Sequence, residues 1–129
     1  MRPPALTRAV VMGKCEGKGR NWHGHVTALT VAPSHRRMGL GQQLMRHLED
    51  VSEAGSMYFV DLYVRRSNGK AHRMYEKLGY RVYRTVKGYY TGLVPEDGLD
   101  MRKPLAADPH GHSLISPKPE ITVDELYDE

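Results

Sequence analysis

The sequence has 129 residues, of which 40% are hydrophobic and 26% charged, with a formal net charge of +4 at pH 7. This length suits one domain with one core, and because no apolar run approaches the length needed to span a bilayer, we expect a soluble protein. A single cysteine, Cys15, excludes an internal disulfide and a cysteine-based metal cluster, and the first four residues lack the apolar run of a secretory signal. The cytosol or the nucleus is then the default compartment, and we expect a cytoplasmic location.

The first predicted elements are a strand, a glycine-rich turn and a helix. His25 to Val31 alternates its side chains and is closely followed by Pro33, which is typical of a strand that ends there. From Leu40 onward apolar residues recur at helical spacing, and Gly55 follows the predicted end of the helix. The apolar positions of this helix are Leu40, Leu44, Leu48 and Val51.

A second strand and a second helix follow. Tyr58 to Val64 is a run of β-branched and aromatic residues that favours a buried strand. Ser67 or Asn68 can cap the next helix, and Gly79 ends it. The side chains predicted to share one face of this helix are Ala71, Met74, Tyr75 and Leu78.

The last predicted strands are residues 80–86 and 99–103, separated by a loop rich in glycine, proline and acidic residues that contains Tyr89 and Tyr90. The resulting order, β-α-β-α-β-β, predicts an α/β fold. Residues 106–129 change in composition to proline, histidine, serine and acids without periodicity, which predicts a disordered acidic tail. The body that precedes the tail is strongly basic, which suits a phosphate-rich cofactor, RNA or the ribosome surface.

A candidate phosphate-binding loop lies between the first strand and the first helix. Arg36 and Arg37 precede Gly39 and Gly41, so the free N–H groups of a helix N-terminus, the helix dipole and two guanidinium groups can all face an anion. From these residues alone, a basic turn whose glycines only relieve backbone strain explains the pattern equally well. The spacing matches neither the GxxxxGK[ST] loop of nucleoside triphosphatases nor the GxGxxG turn of dinucleotide-binding folds.

The segment from Arg36 to Gly41 resembles the Q/R-x-x-G-x-G/A pyrophosphate motif of the Gcn5-related N-acetyltransferase (GNAT) family, and Ser67 to Tyr80 is similar to that family's S/N-x-x-A-x-x-x-Y-x-x-x-G-F/Y segment. The resemblance implies the GNAT fold, a central mixed sheet flanked by helices, with acetyl-CoA as co-substrate. It also implies that the strand before the loop binds the pantetheine arm through backbone groups. The cofactor contacts implied in this way are Leu29, Val31, Arg36, Arg37, Gly39, Gly41 and Asn68.

Within that family, the stretch over residues 11–105 resembles the catalytic subunits of the NatB N-terminal acetyltransferases, and residues 1–10 are unmatched. The segments that carry the likeness include Trp22 to Leu29, Val60 to Arg65, the Tyr89-Tyr90 pair and Asp100 to Lys103. The resemblance implies acetylation of nascent protein N-termini beginning Met-Asp, Met-Glu, Met-Asn or Met-Gln. It also implies a complex with the NatB auxiliary subunit.

His25 is the candidate general base, since a histidine occupies the corresponding position in the substrate site of NatB enzymes and imidazole titrates in the useful range. The attacking amine must be neutral, and because an α-amino group has a pKa of about 8, it needs only modest help from a base or a water relay. From the residues alone, a hydrogen-bonded strand histidine is the better-supported interpretation.

Tyr75 is the candidate general acid, because the resemblance places it near the CoA sulfur and a departing thiolate of pKa about 8.5 benefits from a positioned proton donor. A core tyrosine at helical spacing explains the same residue equally well. Asn68 suits a helix cap, a cofactor contact or both.

Tyr89 and Tyr90 are placed by the resemblance beside the substrate peptide, although simple packing explains paired aromatics as well. We expect no metal site, because the histidine pairs have two-residue spacings and no cysteine cluster accompanies them. These pairs are His23 with His25 and His110 with His112.

Only some twenty residues precede Trp22, too few for the strand and two helices that open the GNAT fold. We therefore expect a fold truncated at its N-terminus, with an unpaired sheet edge and one sheet face uncovered. Two functional hypotheses follow: an active N-terminal acetyltransferase, or a catalytically weak chain that binds CoA or a partner. A basic nucleic-acid-binding module is a third hypothesis that rests on charge alone.

Overall fold

The computed structural model describes residues 9–31 and 39–129, which form a six-stranded sheet in the order β1-β2-β3-β5-β4-β6. The strands are β1 (Ala9–Glu16), β2 (His23–Val31), β3 (Phe59–Arg65), β4 (Arg81–Tyr90), β5 (Glu96–Pro104) and β6 (Glu120–Thr122). The helices are α1 (Leu40–Ala54), α2 (Gly69–Lys77) and α3 (Val123–Tyr127), and short 3-10 turns occur at Gly19–Asn21 and His112–Leu114.

The sheet is mixed. β1 with β2, β3 with β5 and β4 with β5 pair antiparallel, whereas β2 with β3 and β4 with β6 pair parallel. A parallel pair needs a crossover between its strands, and α1 supplies it between β2 and β3. The α/β order predicted from the sequence is confirmed, with β1 added before it and β6 after it.

One face of the sheet carries the hydrophobic core. Alternate residues of β3, from Val60 to Val64, point to this face and pack with Met45 of α1, Tyr75 of α2 and Met101 of β5. The intervening β3 residues, Phe59, Asp61 and Tyr63, therefore point to the opposite face, which carries most of the buried charged groups.

Helix α1 is found where the apolar repeat predicted it, but the face that it buries is rotated relative to the predicted one. Val51 is 52% exposed, while Glu49 is buried against the sheet. Glu49 accepts hydrogen bonds from the Tyr80 hydroxyl at 2.7 Å and from Lys103 Nζ at 2.8 Å, so its charge is paired inside the fold. Apolar periodicity could not reveal that Glu49 is buried, because Tyr80 and Lys103 lie far from it in the sequence.

Helix α2 begins at the predicted cap: the Asn68 side chain accepts a hydrogen bond from the Ala71 N–H at 3.1 Å. Its buried face is narrower than predicted, because Met74 is 38% exposed while Tyr75 is buried. Tyr89 and Tyr90 end strand β4 rather than lying in a loop, and the connection to β5 spans only residues 91–95.

Residues 106–129 are ordered, which corrects the prediction of a disordered tail. Three residues of the tail form β6, which pairs with Thr85–Lys87 of β4. Ile121 of β6 is buried beside Val86, and the Glu129 carboxylate at the end of the tail binds the buried guanidinium of Arg84. Low periodicity is typical of disorder, but here pairing with distant residues supplies the order.

The other sheet edge is β1, whose outer side has no strand partner among the residues that the structure describes. Val10 and Met12 expose apolar side chains on this strand, at 38% and 57%. No helix within the described ranges is long and apolar enough to cross a membrane.

We predict that Ile121→Ala lowers the free energy of unfolding by about 2–4 kcal/mol, because it leaves a cavity between β6 and Val86. Urea denaturation measures this value. The control is Ile115→Ala, which truncates a side chain of the same tail that is 71% exposed and should change stability by less than about 0.5 kcal/mol. Equal values for the two variants would mean that the tail is not packed as described.

Candidate active site

The N-terminus of α1 is open to an anion. Gly39 lies in the left-handed region with φ of 71°, a conformation that favours glycine, and no side chain caps the helix within the described residues. The first helical hydrogen bond runs from the Gln43 N–H to the Gly39 carbonyl, so the N–H groups before it have no intrahelical acceptor. The predicted contacts Arg36 and Arg37 lie outside the described residues, whereas Gly41 lies in the first turn of α1.

Strands β2 and β3 pair at one end and separate at the other. Their parallel register covers four residue pairs and ends at Val26 with Leu62. β2 nevertheless continues to Val31, so Thr27–Val31 has no β3 partner among the described residues, while β3 continues along β5. Backbone groups of β2 that face β3 beyond Val26 are therefore free to bind a ligand. Leu29 and Val31, the predicted pantetheine contacts, both lie on this unpaired stretch.

His25 is held by a buried carboxylate on the neighbouring strand. The register places His25 opposite Asp61, and His25 Nδ1 lies 2.7 Å from Asp61 Oδ1. Since a carboxylate accepts, Nδ1 carries the proton in the neutral ring and Nε2 keeps its lone pair. Nε2 has no hydrogen-bond partner among the described residues, so it can accept a proton from a ligand or water.

Two further polar side chains, His23 and Glu16, surround this pair. His23 Nε2 lies 3.5 Å from both Asp61 Oδ1 and Glu16 Oε2, and the His23 ring stacks on Phe59 with 4.5 Å between centroids. Burial alone lowers the pKa of His25, but the hydrogen bond and charge of Asp61, with Glu16, outweigh it and raise that pKa above its ordinary value.

An aromatic row runs along the sheet from His25. Tyr63 lies 5.6 Å from His25 between ring centroids and stacks on Tyr89 at 4.5 Å. Tyr89 contacts Tyr90 edge to face, and Arg65 lies 4.4 Å above the Tyr90 ring. Burial, with Tyr89 as the next contribution, raises the pKa of Tyr90 to about 12, so its hydroxyl stays protonated at neutral pH. The row forms a surface suited to an extended peptide.

Tyr75 lies on α2, on the core face of the sheet, and is 9% exposed. Burial raises the pKa of its hydroxyl, which makes no hydrogen bond to a described residue and so keeps its proton available. His25 points to the opposite face. The separation of β2 from β3 is where a ligand could contact both faces, and therefore both residues.

Asp61 and Tyr63 belong to the site but were not predicted from the sequence. Asp61 did leave a signal, since it is a carboxylate inside the apolar run of β3. Its partner could not be inferred without the parallel pairing of β2 with β3. Asn68 acts as the α2 cap, and the cofactor contact that the resemblance implies for it stays a prediction. The described residues contain no cluster of three or more His, Cys, Asp or Glu placed to hold a metal ion.

The sequence matches the acetyltransferase (GNAT) family over residues 5–80. It is 57% identical over 120 residues to the "N-terminal acetyltransferase B complex catalytic subunit NAA20" of Arabidopsis thaliana, a match that covers 92% of this chain and 68% of that protein. It is 58% identical over 106 residues to "N-alpha-acetyltransferase 20" of Dictyostelium discoideum, covering 81% of this chain but only 60% of the relative.

Solved structures give the same picture. The fold superposes on Chaetomium thermophilum Naa20 in complex with a bisubstrate analogue with a TM-score of 0.82 and 39% identity, covering 92% of this chain and 71% of that one. It superposes on a chain of the NatB acetyltransferase complex bound to CoA and MES with a TM-score of 0.70 and 39% identity, covering 81% of this chain and 69% of that one.

We predict that Asp61→Asn lowers the pKa of His25, because the substitution removes the negative charge that stabilises the imidazolium. Titration of the His25 ring proton by NMR measures the change. Asp97→Asn is the matched control, since Asp97 accepts a hydrogen bond from Gly88 and pairs with Lys87 outside the His25 cluster. An unchanged His25 titration in Asp61→Asn would show that the two side chains are not bonded.

Proposed function

This chain belongs to the acetyltransferase (GNAT) family and is similar to NatB catalytic subunits. We propose that it transfers acetyl from acetyl-CoA to the α-amino group of protein N-termini. The observation that carries the proposal is the separation of β2 from β3, which leaves the backbone of Thr27–Val31 free beside an uncapped helix N-terminus. A phosphate-bearing thioester suits both features. The N-terminus of α1 can bind its phosphates, and the unpaired backbone of β2 can form hydrogen bonds with its amide-containing arm.

His25 is the proposed base. Its Nε2 lone pair accepts a proton from the α-amino group, directly or through a water molecule, as the amine nitrogen attacks the thioester carbonyl carbon. Asp61 orients the ring and stabilises the imidazolium that forms. Since the base must be neutral and Asp61 raises its pKa, turnover should increase as the pH rises through that raised value.

Tyr75 is the proposed acid. When the carbon–sulfur bond breaks, the thiolate takes the phenolic proton, which the buried hydroxyl retains because its pKa is raised. This bond cleavage is the collapse of the tetrahedral intermediate to the amide, after which His25 releases its proton to solvent and the Tyr75 phenolate takes one up. Tyr89 and Tyr90, beside Tyr63 and His25, are the proposed contacts of the substrate peptide.

By the same likeness, we propose NatB-type substrates, with N-termini Met-Asp, Met-Glu, Met-Asn or Met-Gln, and a NatB auxiliary subunit as partner. A second candidate is a catalytically weak chain that binds CoA or a partner. The apolar edge of β1, with Val10 and Met12 exposed, favours it, because such an edge suits contact with another polypeptide.

Transfer of labelled acetyl from acetyl-CoA to a peptide beginning Met-Asp-Glu separates the two candidates. A Met-Lys peptide of otherwise identical sequence tests the substrate class, and addition of the auxiliary subunit tests the partner. Labelling of the Met-Asp-Glu peptide but not of the Met-Lys peptide supports the proposal. CoA binding without labelling, with and without the auxiliary subunit, would instead favour the second candidate.

We predict that Gly41→Glu weakens acetyl-CoA binding by about tenfold or more, because a carboxylate in the first turn of α1 repels the phosphates. Isothermal titration calorimetry measures the affinity. Gly41→Gln adds nearly the same volume without charge and should bind more tightly than Gly41→Glu. Identical affinities for Gly41→Glu and the unmodified chain would remove this helix terminus from the cofactor site.

We predict that Tyr75→Phe lowers kcat by roughly 100-fold while changing CoA affinity much less, since its proposed hydrogen bond strengthens only as the thiolate departs. Steady-state kinetics and calorimetry give the two values. Tyr127→Phe, at a side chain that is 77% exposed, is the control and should leave both unchanged. If kcat is unchanged in Tyr75→Phe, the residue is only part of the core.

A further inference from the structure

A cavity of about 550 Å³ opens on the sheet face that carries His25, under the ordered tail. This volume is typical of small-molecule sites. Its walls come from the turn before β2, from the strands and from residues 107–113 of the tail. The residues that line it include Arg20, Phe59, Tyr83, Arg102 and Asp108.

The cavity borders the side chains around His25, because Arg102 pairs with Asp61 in the register of β3 with β5, but it is remote from the proposed cofactor site. Phe59 lines it and pairs with His23 at the amino ends of β3 and β2, whereas α1 follows the carboxyl end of β2. β2 has nine residues, so its two ends are about 26 Å apart at about 3.3 Å per residue. A ligand of this cavity would therefore bind separately from acetyl-CoA.

Arg102 is presented to the cavity with most of its hydrogen-bonding capacity unused. The residue is 7% exposed, and its guanidinium lies 4.3 Å from the Phe59 ring centroid and 3.5 Å from that of Tyr83, so both aromatic rings fix its plane. Of its five N–H donors, only one Nη1 group bonds to a described residue, the Ser113 carbonyl at 3.4 Å. Nε is buried without a hydrogen-bond partner.

Asp100 pairs with the charge of Arg102 but leaves its hydrogen-bonding groups unsatisfied. Asp100 Oδ1 lies 3.6 Å from Arg102 Nε, beyond hydrogen-bond distance, and the other oxygen of Asp100 is bonded to Arg84. In the cavity wall, both oxygens of Asp108 already accept hydrogen bonds from the His112 and Ser113 N–H groups and the Ser113 hydroxyl. Arg20, at the rim, forms no ion pair with a described residue.

We propose that this cavity binds the oxyanion of a small organic phosphate or carboxylate through Arg102 and Arg20. A buried guanidinium with a fixed plane and free edge donors is suited to bidentate binding of an oxyanion. The aromatic rings beside it contact the organic part of the ligand. Binding at this cavity does not require the proposed acetyl transfer.

Calorimetry of the full chain with phenyl phosphate, benzoate and inorganic phosphate tests the site. Phenyl phosphate and benzoate should bind more tightly than inorganic phosphate, and Arg102→Gln should weaken phenyl phosphate binding by about tenfold or more. The matched control is Arg73→Gln on the exposed side of α2, which should bind as the unmodified chain does. Gly41→Glu should also bind phenyl phosphate normally, which separates this site from the cofactor site.

Two milder variants keep the test decisive if Arg102→Gln unfolds. Arg102→Lys preserves the charge but not the planar fork and should weaken binding severalfold. Arg20→Gln changes an exposed rim residue and should weaken binding by a smaller factor. The proposal would be overturned if no probe bound at about 10 mM. It would also be overturned if the Arg102, Arg20 and Arg73 variants bound phenyl phosphate with equal affinity.

Discussion

The parallel pairing of β2 with β3 determines the geometry of the candidate site. It brings His25 opposite Asp61, and the hydrogen bond between them orients the His25 ring as a candidate base. The pairing then ends at Val26, and the strands separate. The same two strands therefore supply both a fixed side chain and a stretch of free backbone, which are the two requirements of a site that holds a thioester beside an amine.

The two faces of the sheet have different chemistry. The helix face is an ordinary apolar core, interrupted by Glu49 with its two partners. On the other face Asp100 is fully buried between Arg84 and Arg102, and burial raises its pKa to about 6. Charges of this kind are stable in a fold only with partners, and Glu129 of the tail supplies one for Arg84. The order of the tail and the burial of these charges therefore depend on each other.

Local signals in the sequence were sufficient for much of the fold. The alternation over 25–31, the apolar repeat after Gly39 and the cap at Asn68 located β2, α1 and α2, because these patterns act within a few residues. His25 and Gly41 were placed in the candidate site by the family resemblance, because the residues alone favoured a strand histidine and left the role of the glycine turn open.

The remaining features depend on contacts between residues distant in sequence. The role of Asp61 follows from which strand lies beside β3, and the order of the tail follows from Arg84 and Val86, more than thirty residues earlier. The burial of Glu49 on the inward face of α1 depends on the hydrogen bonds that Tyr80 and Lys103 donate to it. Tertiary pairing overrode composition in each case, since a charged or irregular segment becomes ordered when distant partners satisfy its polar groups.

We expect acetyl-CoA to bind in the separation between β2 and β3, through backbone groups of Thr27–Val31. Amide hydrogen exchange, followed by NMR with and without acetyl-CoA, tests it directly. We expect the amides of this stretch that face β3 to exchange more slowly when the cofactor is bound, while amides at the cavity lined by Phe59 and Arg102 are unaffected. Cofactor binding without added protection over Thr27–Val31 would contradict the claim.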